Sequence, residues 1–113
     1  MRASAKSLAR LEGSAPVFAA LGDETRLRLV SRLCNRGPLS ITQLASGSRK
    51  SRQAITKHLV VMERAGLVRG RRRGRERIWE LERSRLQDAR RHLERVSKEW
   101  DGALERLRTF VEA

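Results

Sequence analysis

Apolar residues recur at helical spacing in the middle of the chain, between Ser51 and Gly66. Ile55, Leu59 and Met62 stand at i, i+4 and i+7, so they share one face of a helix. Ser51 is a suitable N-cap because its hydroxyl can accept hydrogen bonds from the free amides of the first turn. Gly66 is a suitable C′ residue because glycine tolerates a positive φ. The pattern predicts an amphipathic helix of about four turns.

After Gly66 the spacing of the apolar residues changes from helical to alternating. Trp79 and Leu81 alternate with polar residues, and residues 67–81 predict two short strands around an Arg/Gly turn. Upstream, the segment Leu39-Ser40-Ile41 is too short to stand alone, and we expect it to join this hairpin as a third strand. Thr42 is the expected cap of a brief helix that ends near Ala45.

Two further helices are predicted before residue 38. Ser14 is the expected N-cap of the first, which Gly22 ends. Asp23 is the expected N-cap of the second, which Gly37-Pro38 stops. The apolar stripe of the second helix is predicted to consist of Leu27, Val30, Leu33 and Cys34. Cys34 is expected to be a small core residue, since free cysteines are commonly buried.

The longest predicted helix begins at Ser84 and carries apolar residues that step by three and four. This apolar row comprises Leu86, Ala89, Leu93, Val96, Trp100, Ala103, Leu107 and Phe110. A helix of this span is roughly 40 Å long, more than a small domain needs for its own core. We therefore expect the row to form a two-fold dimer interface, because it would otherwise expose leucines and a tryptophan. The alternative is that the helix lies across the chain's own core.

Charge is concentrated around the central helix. The segment Ser48–Arg77 holds eleven basic and two acidic residues, a net +9 out of the chain's +13. Phosphates are the expected partner of charge concentrated in this way. The first turns of the helix carry side chains that can contact base edges or phosphates, as a major-groove helix requires. These residues are the capping Ser51 with Arg52, Gln53, Thr56 and Lys57, and Arg49 and Lys50 stand just ahead of the helix. The alternative is a solvated helix with a basic flank.

The hairpin tip strengthens the interpretation that the central helix enters the major groove of DNA. It presents five arginines against one glutamate, and such a tip repels itself unless a polyanion lies beside it. The five are Arg71, Arg72, Arg73, Arg75 and Arg77. Helix, turn, longer helix and basic hairpin occur in the order of a winged helix-turn-helix.

Length and composition limit the other possibilities. The 113 residues allow one domain, with a lead-in at 1–13, a DNA-binding part at 14–83 and a dimerisation helix at 84–113. A single cysteine excludes an internal disulfide and a cysteine-cluster metal site. We expect a cytoplasmic protein, because no apolar run is long enough for a membrane span or a signal peptide. Enzyme activity is not expected, since the chain has no Gly-rich phosphate loop, no tyrosine and only two histidines.

The chain resembles the ArsR/SmtB family of winged helix-turn-helix repressors. Four segments carry the resemblance: 20–29 (ALGDETRLRL), 51–59 (SRQAITKHL), 65–68 (AGLV) and 74–81 (GRERIWEL). The resemblance implies a mainly α fold with a small β-hairpin, the "wing", and a homodimer formed through terminal helices. It also implies repression from an operator of imperfect dyad symmetry. Ser51, Arg52, Gln53, Thr56 and Lys57 would face the major groove, and the wing arginines the flanking backbone or minor groove.

The chain departs from the family's metal sensors. Those members carry paired cysteines in the short helix before the turn, or His and Asp/Glu ligands along the last helix. Here residues 41–47 contain neither Cys nor His, and His92 with Asp88 supplies two ligands where three or four are needed. We therefore expect no metal, no cofactor and no metal response. A non-specific architectural DNA- or RNA-binding protein stays the alternative function, and operator, regulated genes, inducer and sign of regulation stay open.

Overall fold

The computed structural model of the chain describes residues 14–112, and the predicted lead-in at 1–13 lies outside them. The described residues form helices and one small sheet. In chain order they are α1 (14–21), α2 (Glu24–Arg36), β1 (Leu39–Ser40), α3 (Ile41–Ala45), α4 (Arg52–Arg64), β2 (Val68–Arg73), β3 (Glu76–Leu81) and α5 (Arg83–Glu112). The predicted fold class, mainly α with a small antiparallel sheet, is confirmed.

The sheet has the strand order β1-β3-β2 and is antiparallel throughout. Leu39 of β1 pairs with Trp79, and Val68 of β2 pairs with Leu81. The predicted third strand is therefore confirmed, although Ile41 already belongs to α3. Gly74 turns the hairpin with φ 64°, the positive φ that a primed two-residue turn takes at its first position.

The core lies where α2, α4 and the sheet meet. Ile55, Leu59 and Met62 of α4 are fully buried, as the period predicted, and Trp79 is buried with them. The helix is fixed at both ends. The Ser51 hydroxyl accepts a hydrogen bond from the Ala54 amide at 3.1 Å, so the predicted cap is confirmed. Gly66 follows the helix with φ 77°, the left-handed conformation expected of a C′ glycine.

The N-cap of α2 is also confirmed. The backbone N–H of Arg26 donates to the Asp23 carboxylate at 3.0 Å. This hydrogen bond is the main reason why the pKa of Asp23 lies below its usual value, with the charge of Arg26 a smaller contribution. A carboxylate at this position also favours the positive end of the helix dipole.

The predicted stripe of α2 is wrong at two positions. Leu29 and Leu33 form the buried side, whereas Leu27 is 51% exposed and Cys34 is exposed. Leu27 and Leu29 stand two residues apart, about 200° around a helix, so both cannot face the same core. Packing against α4 and the sheet selected Leu29.

Two predicted caps are also wrong. Ser14 is already helical, so it does not cap α1. The cap of α3 is Ser40 rather than Thr42. The Ser40 hydroxyl accepts from the Gln43 amide at 3.2 Å, and the Gln43 side chain accepts from the Ser40 amide at 2.9 Å. This reciprocal capping box satisfies two amides, which Thr42 could not do from its position.

Helix α5 runs for 30 residues without a break, a length of about 45 Å. Within residues 14–112, only its beginning packs against the other elements, where Ala89 is buried and Leu86 packs beside it. The remaining large apolar side chains of the helix are exposed, and they are Leu93, Val96, Trp100, Leu104, Leu107, Phe110 and Val111. None of the helices within residues 14–112 is both long enough and apolar enough to span a membrane.

Candidate nucleic-acid interface

The N-terminal end of α4 projects from the domain because the chain turns sharply before it. Gly47 adopts φ 75°, and the Ser48 hydroxyl accepts from the Lys50 amide at 3.1 Å. The turn leaves Arg49, Lys50 and the capping Ser51 exposed at the positive end of the helix. An anion would therefore meet two cations and free helix amides at the same place.

The exposed face of α4 brings four predicted residues together. Arg52, Gln53, Thr56 and Lys57 line one shallow depression with Ile41 of α3. The Thr56 hydroxyl donates its proton to the Arg52 carbonyl at 2.8 Å, so its oxygen can still accept a hydrogen bond and its methyl group remains for an apolar contact. Arginine can pair with guanine, glutamine with adenine, and a methyl can meet the thymine methyl. The face therefore offers direct base contacts and backbone contacts side by side.

The wing divides its arginines between the two sides of the sheet. Arg71 and Arg73 lie on the side away from the core, because they pair with Ile78 and Glu76 in the hairpin register. Arg75 is exposed at the tip, and Arg72 lies opposite Arg77 on the other side. Among the described residues, no carboxylate forms an ion pair with Arg72, Arg73 or Arg75, so these guanidinium groups are available to phosphates.

Two polar residues of this surface were not predicted from the sequence. Thr42 and Gln43, in the first turn of α3, line a second concave region together with Arg71 and Arg73 of the wing. Both side chains are exposed, and Gln43 retains amide donors beyond its capping bond. The signal in the sequence is the pair of polar residues in the first turn of α3. Thr42 is predicted from that pattern as a cap instead.

Arg77 takes a different position from the other wing arginines. Its guanidinium carbon lies 4.5 Å from the centroid of the Trp79 ring, and its Nη2 donates to Glu63 Oε2 at 3.0 Å. The Gly70 amide donates to the same carboxylate oxygen at 3.3 Å. Arg77 thus joins the wing to the end of α4, while its side chain stays 51% exposed and the predicted DNA contact stays a prediction.

Arg69 is neutralised at the base of the wing. Its Nε lies 2.8 Å from Glu80 and 2.9 Å from Glu82. The hydrogen bond to Glu80 is the main reason why the pKa of Arg69 is raised, with the Glu82 charge contributing next. The free positive charge of the hairpin is therefore concentrated toward its tip.

A polar cluster fixes α4 against the start of α2. The Arg26 Nε donates to the Ala20 carbonyl at 2.6 Å, and its Nη1 lies 3.4 Å from His58 Nδ1. His58 Nδ1 is also 3.8 Å from Asp23 Oδ2, and the histidine side chain is 22% exposed. His58 is therefore a half-buried residue that packs between the two helices.

The residues that could bind a metal are dispersed in the described part of the chain. Within residues 14–112, no three His, Cys, Asp or Glu side chains are grouped so that they could hold an ion. Asp88 pairs with Arg91 at 3.4 Å, and the ring of His92 lies 6.0 Å from that of Phe18. Neither residue has a third ligand beside it.

Comparison with known proteins supports this interpretation. A family model described as a helix-turn-helix domain matches residues 21–71. The HTH-type transcriptional regulator Rv2034 of Mycobacterium tuberculosis is 39% identical over 87 residues, covering 77% of this chain and 78% of that protein. The solved structure of an ArsR-like transcriptional regulator from Rhodococcus sp. RHA1 is 37% identical and covers 90% of this chain and 95% of its own, with a TM-score of 0.72.

A third structure shares the fold. It is the homodimeric winged helix-turn-helix DNA-binding domain of a possible ArsR-family transcriptional regulator from Mycobacterium bovis, 24% identical, covering 92% of this chain and 93% of that one with a TM-score of 0.63. These relatives are regulators and not enzymes, and the basic face of α4 and the wing is the surface that such a protein needs. The chain therefore belongs to the ArsR-like winged helix-turn-helix family of DNA-binding transcriptional regulators.

Proposed function

We propose that this protein is a homodimeric repressor that binds an imperfect inverted repeat and does not respond to metals. The observation that carries the proposal is the exposed apolar row of α5. Leu93, Val96, Trp100 and Leu107 are each more than two-fifths exposed, and they stand at the three- and four-residue steps of a helix interface. A second copy of the helix would cover them.

The dimer explains how a small domain could select its site. A two-fold axis would present two copies of α4 to successive major grooves, about one helical turn of DNA apart. Two linked half-sites bind far more tightly than one, without any new contact. Such a dimer would repress by occupying promoter DNA. The homodimeric neighbour from M. bovis supports this arrangement by analogy.

Leu86 and Ala89 contribute less to this interface than the other members of the row. Ala89 is buried in the chain's own core and Leu86 packs against that core. We therefore assign the dimer contact chiefly to the part of the row from Leu93 to Phe110, with Ala103 between them. The beginning of α5 therefore packs mainly within its own monomer, and only its edge would contact the second copy.

Selection of bound duplexes from a random DNA pool tests the proposal. We expect one enriched inverted repeat whose half-sites are centred about 10 base pairs apart. The enriched duplex should bind at least ~10³ times more tightly than random duplex at the same salt concentration. Equal affinity for both would contradict the proposal and support the non-specific architectural alternative.

The metal part of the proposal has its own test. Zinc, nickel or a chelator should leave affinity for the selected duplex unchanged, because the described residues offer no complete ligand set. A stoichiometric zinc titration accompanied by loss of DNA binding would overturn this part and leave the rest intact.

A further inference from the structure

A basic cleft lies between α2 and the turn that precedes α4. It has a volume of about 740 Å³. Five cationic side chains line it, and none of its described lining residues is acidic. The five are Arg28, Arg32, Arg36, Arg49 and Lys50. Three of these residues, Arg28, Arg32 and Arg36, lie on α2 and belong neither to the exposed face of α4 nor to the wing.

Helix geometry places the α2 arginines in one line. Arg28, Arg32 and Arg36 stand four residues apart, so they follow the same side of the helix. Like charges at this spacing destabilise an isolated helix. Arg32 is compensated, because its Nη2 donates to the Gln43 carbonyl at 2.6 Å and its Nη1 reaches the Ser46 carbonyl at 3.4 Å. It fixes one wall of the cleft by joining α2 to the end of α3.

The other two α2 arginines that line the cleft, Arg28 and Arg36, are free to reach a ligand. Arg28 pairs with Glu24, but the two side chains are 75% and 79% exposed, and such surface pairs contribute little. Arg36 is exposed in the last turn of α2 and forms no ion pair with a described carboxylate. Ser46, Ser48 and the exposed backbone of the turn supply hydrogen-bond donors between these cations and Lys50.

We propose that this cleft is a phosphate-binding site in addition to α4 and the wing. Lys50 lies two residues before Arg52, and Ile55 on the cleft wall is adjacent to Thr56 on the DNA-facing side of α4. A phosphate in the cleft would therefore lie beside the groove that α4 enters. The proposal rests on the DNA-binding role of α4 and extends its footprint onto α2. The phosphate belongs either to the DNA backbone or to a free phosphorylated molecule.

The experiment uses the full-length chain with Arg28→Ala and Arg36→Ala combined. Alanine is a better helix former than arginine, so α2 should persist, and thermal unfolding would verify it. Arg90→Ala is the matched control, because Arg90 is an exposed helix arginine paired with a glutamate four residues on, as Arg28 is with Glu24 four residues before it. Affinity is measured for a selected and a random duplex over a range of salt concentrations.

We expect the double variant to bind both duplexes more weakly by the same factor, about ten-fold or more. The slope of log affinity against log salt should fall by about 0.9 for each phosphate that the variant no longer neutralises. Arg90→Ala should change neither quantity. This result assigns the phosphate to DNA, and it can appear even if the selected and random duplexes bind equally, which would count against the proposed repressor alone.

A second measurement addresses the free anion. Pyrophosphate is titrated into DNA-free wild type and double variant, and backbone amide shifts of residues 46–50 are followed by NMR. Saturable shifts in the wild type that vanish in the variant, with an unchanged salt slope on DNA, assign the site to a free phosphorylated ligand. An unchanged salt slope together with no saturable shift would overturn the proposal.

Discussion

Arg77 lies across the face of Trp79, with the guanidinium carbon 4.5 Å from the ring centroid. The same guanidinium reaches Glu63 near the end of α4, at 3.0 Å. One side chain therefore connects a buried residue of the wing to α4. Its charge stabilises the relative position of two DNA-binding elements, which a phosphate contact would not do.

The first prediction concerns this connection. Arg77→Ala should destabilise the fold by about 1 kcal/mol, since it removes one cation–π contact and one partly exposed ion pair. If Arg77 holds the wing against α4 rather than neutralising a phosphate, affinity for DNA should fall while the salt slope changes little. Arg73→Ala, at the exposed edge of the wing, should instead reduce the slope by about 1. Chemical denaturation and salt-dependent binding provide the two measurements.

Gly70→Ala provides an internal control for this arrangement. A Cβ at Gly70 would collide with the Arg77 Nε, so the arginine would have to leave its place. Gly70→Ala and Arg77→Ala should therefore be strongly non-additive, as expected for two changes that break one contact. Additive effects would contradict this shared contact. A salt slope that falls in Arg77→Ala as far as in Arg73→Ala would show that Arg77 contacts DNA.

The second prediction separates the contribution of α4 to DNA binding from that of the wing. Gln53→Ala and Arg52→Ala should alter which base pairs are preferred, each at a cost of ~1–3 kcal/mol at its own position. Arg73→Ala and Arg75→Ala should weaken all sequences more evenly, if these exposed side chains contact the DNA backbone. Repeating the selection from random DNA with each variant measures the preference. A wing variant whose preference shifts as much as that of Gln53→Ala would place the wing in a narrow minor groove, where arginine responds to DNA shape.

The third prediction is a steep dependence of DNA affinity on salt. The segment Ser48–Arg77 carries a net charge of +9, although Arg69 and Arg77 are engaged within the protein. If a dimer neutralises about six to ten phosphates, affinity should fall by ~10³ or more between about 50 and 200 mM salt. Titrations at several salt concentrations give the slope directly. A flat response would contradict phosphate neutralisation as the source of affinity.

The fourth prediction concerns the apolar row of α5. Leu93→Glu would place an unpaired charge in an apolar interface, which is costly to bury. The variant should therefore be monomeric by analytical ultracentrifugation and should lose operator affinity far beyond what its distance from α4 suggests. Because Leu93 is 55% exposed in the single chain, the monomer itself should fold normally.

Leu27→Glu is the matched control for this experiment. Leu27 is 51% exposed, close to the value for Leu93, but it lies on α2. Glutamate there should leave both the dimer and DNA affinity unchanged. A Leu93→Glu protein that stays dimeric would mean that the exposed row has another role.

Local patterns predicted most of the elements of this protein. The buried face of α4 follows from Ile55, Leu59 and Met62 at helical spacing, because neighbours one turn apart necessarily share a side of the helix. The caps at Asp23 and Ser51 involve partners only three residues away. Signals of this kind depend on a few successive residues, and the sequence carries them completely.

Tertiary packing decided the rest. Leu27 and Leu29 have the same chemistry, and only contact with α4 and the sheet determined that Leu29 is buried and that Cys34 is not. Arg77 resembles its neighbours in sequence, yet its position depends on Glu63, 14 residues away. The sequence thus determined which elements form and where the charge is concentrated. The structure alone decided which cations pair with carboxylates of the protein, because those pairings join residues that only the folded chain brings together.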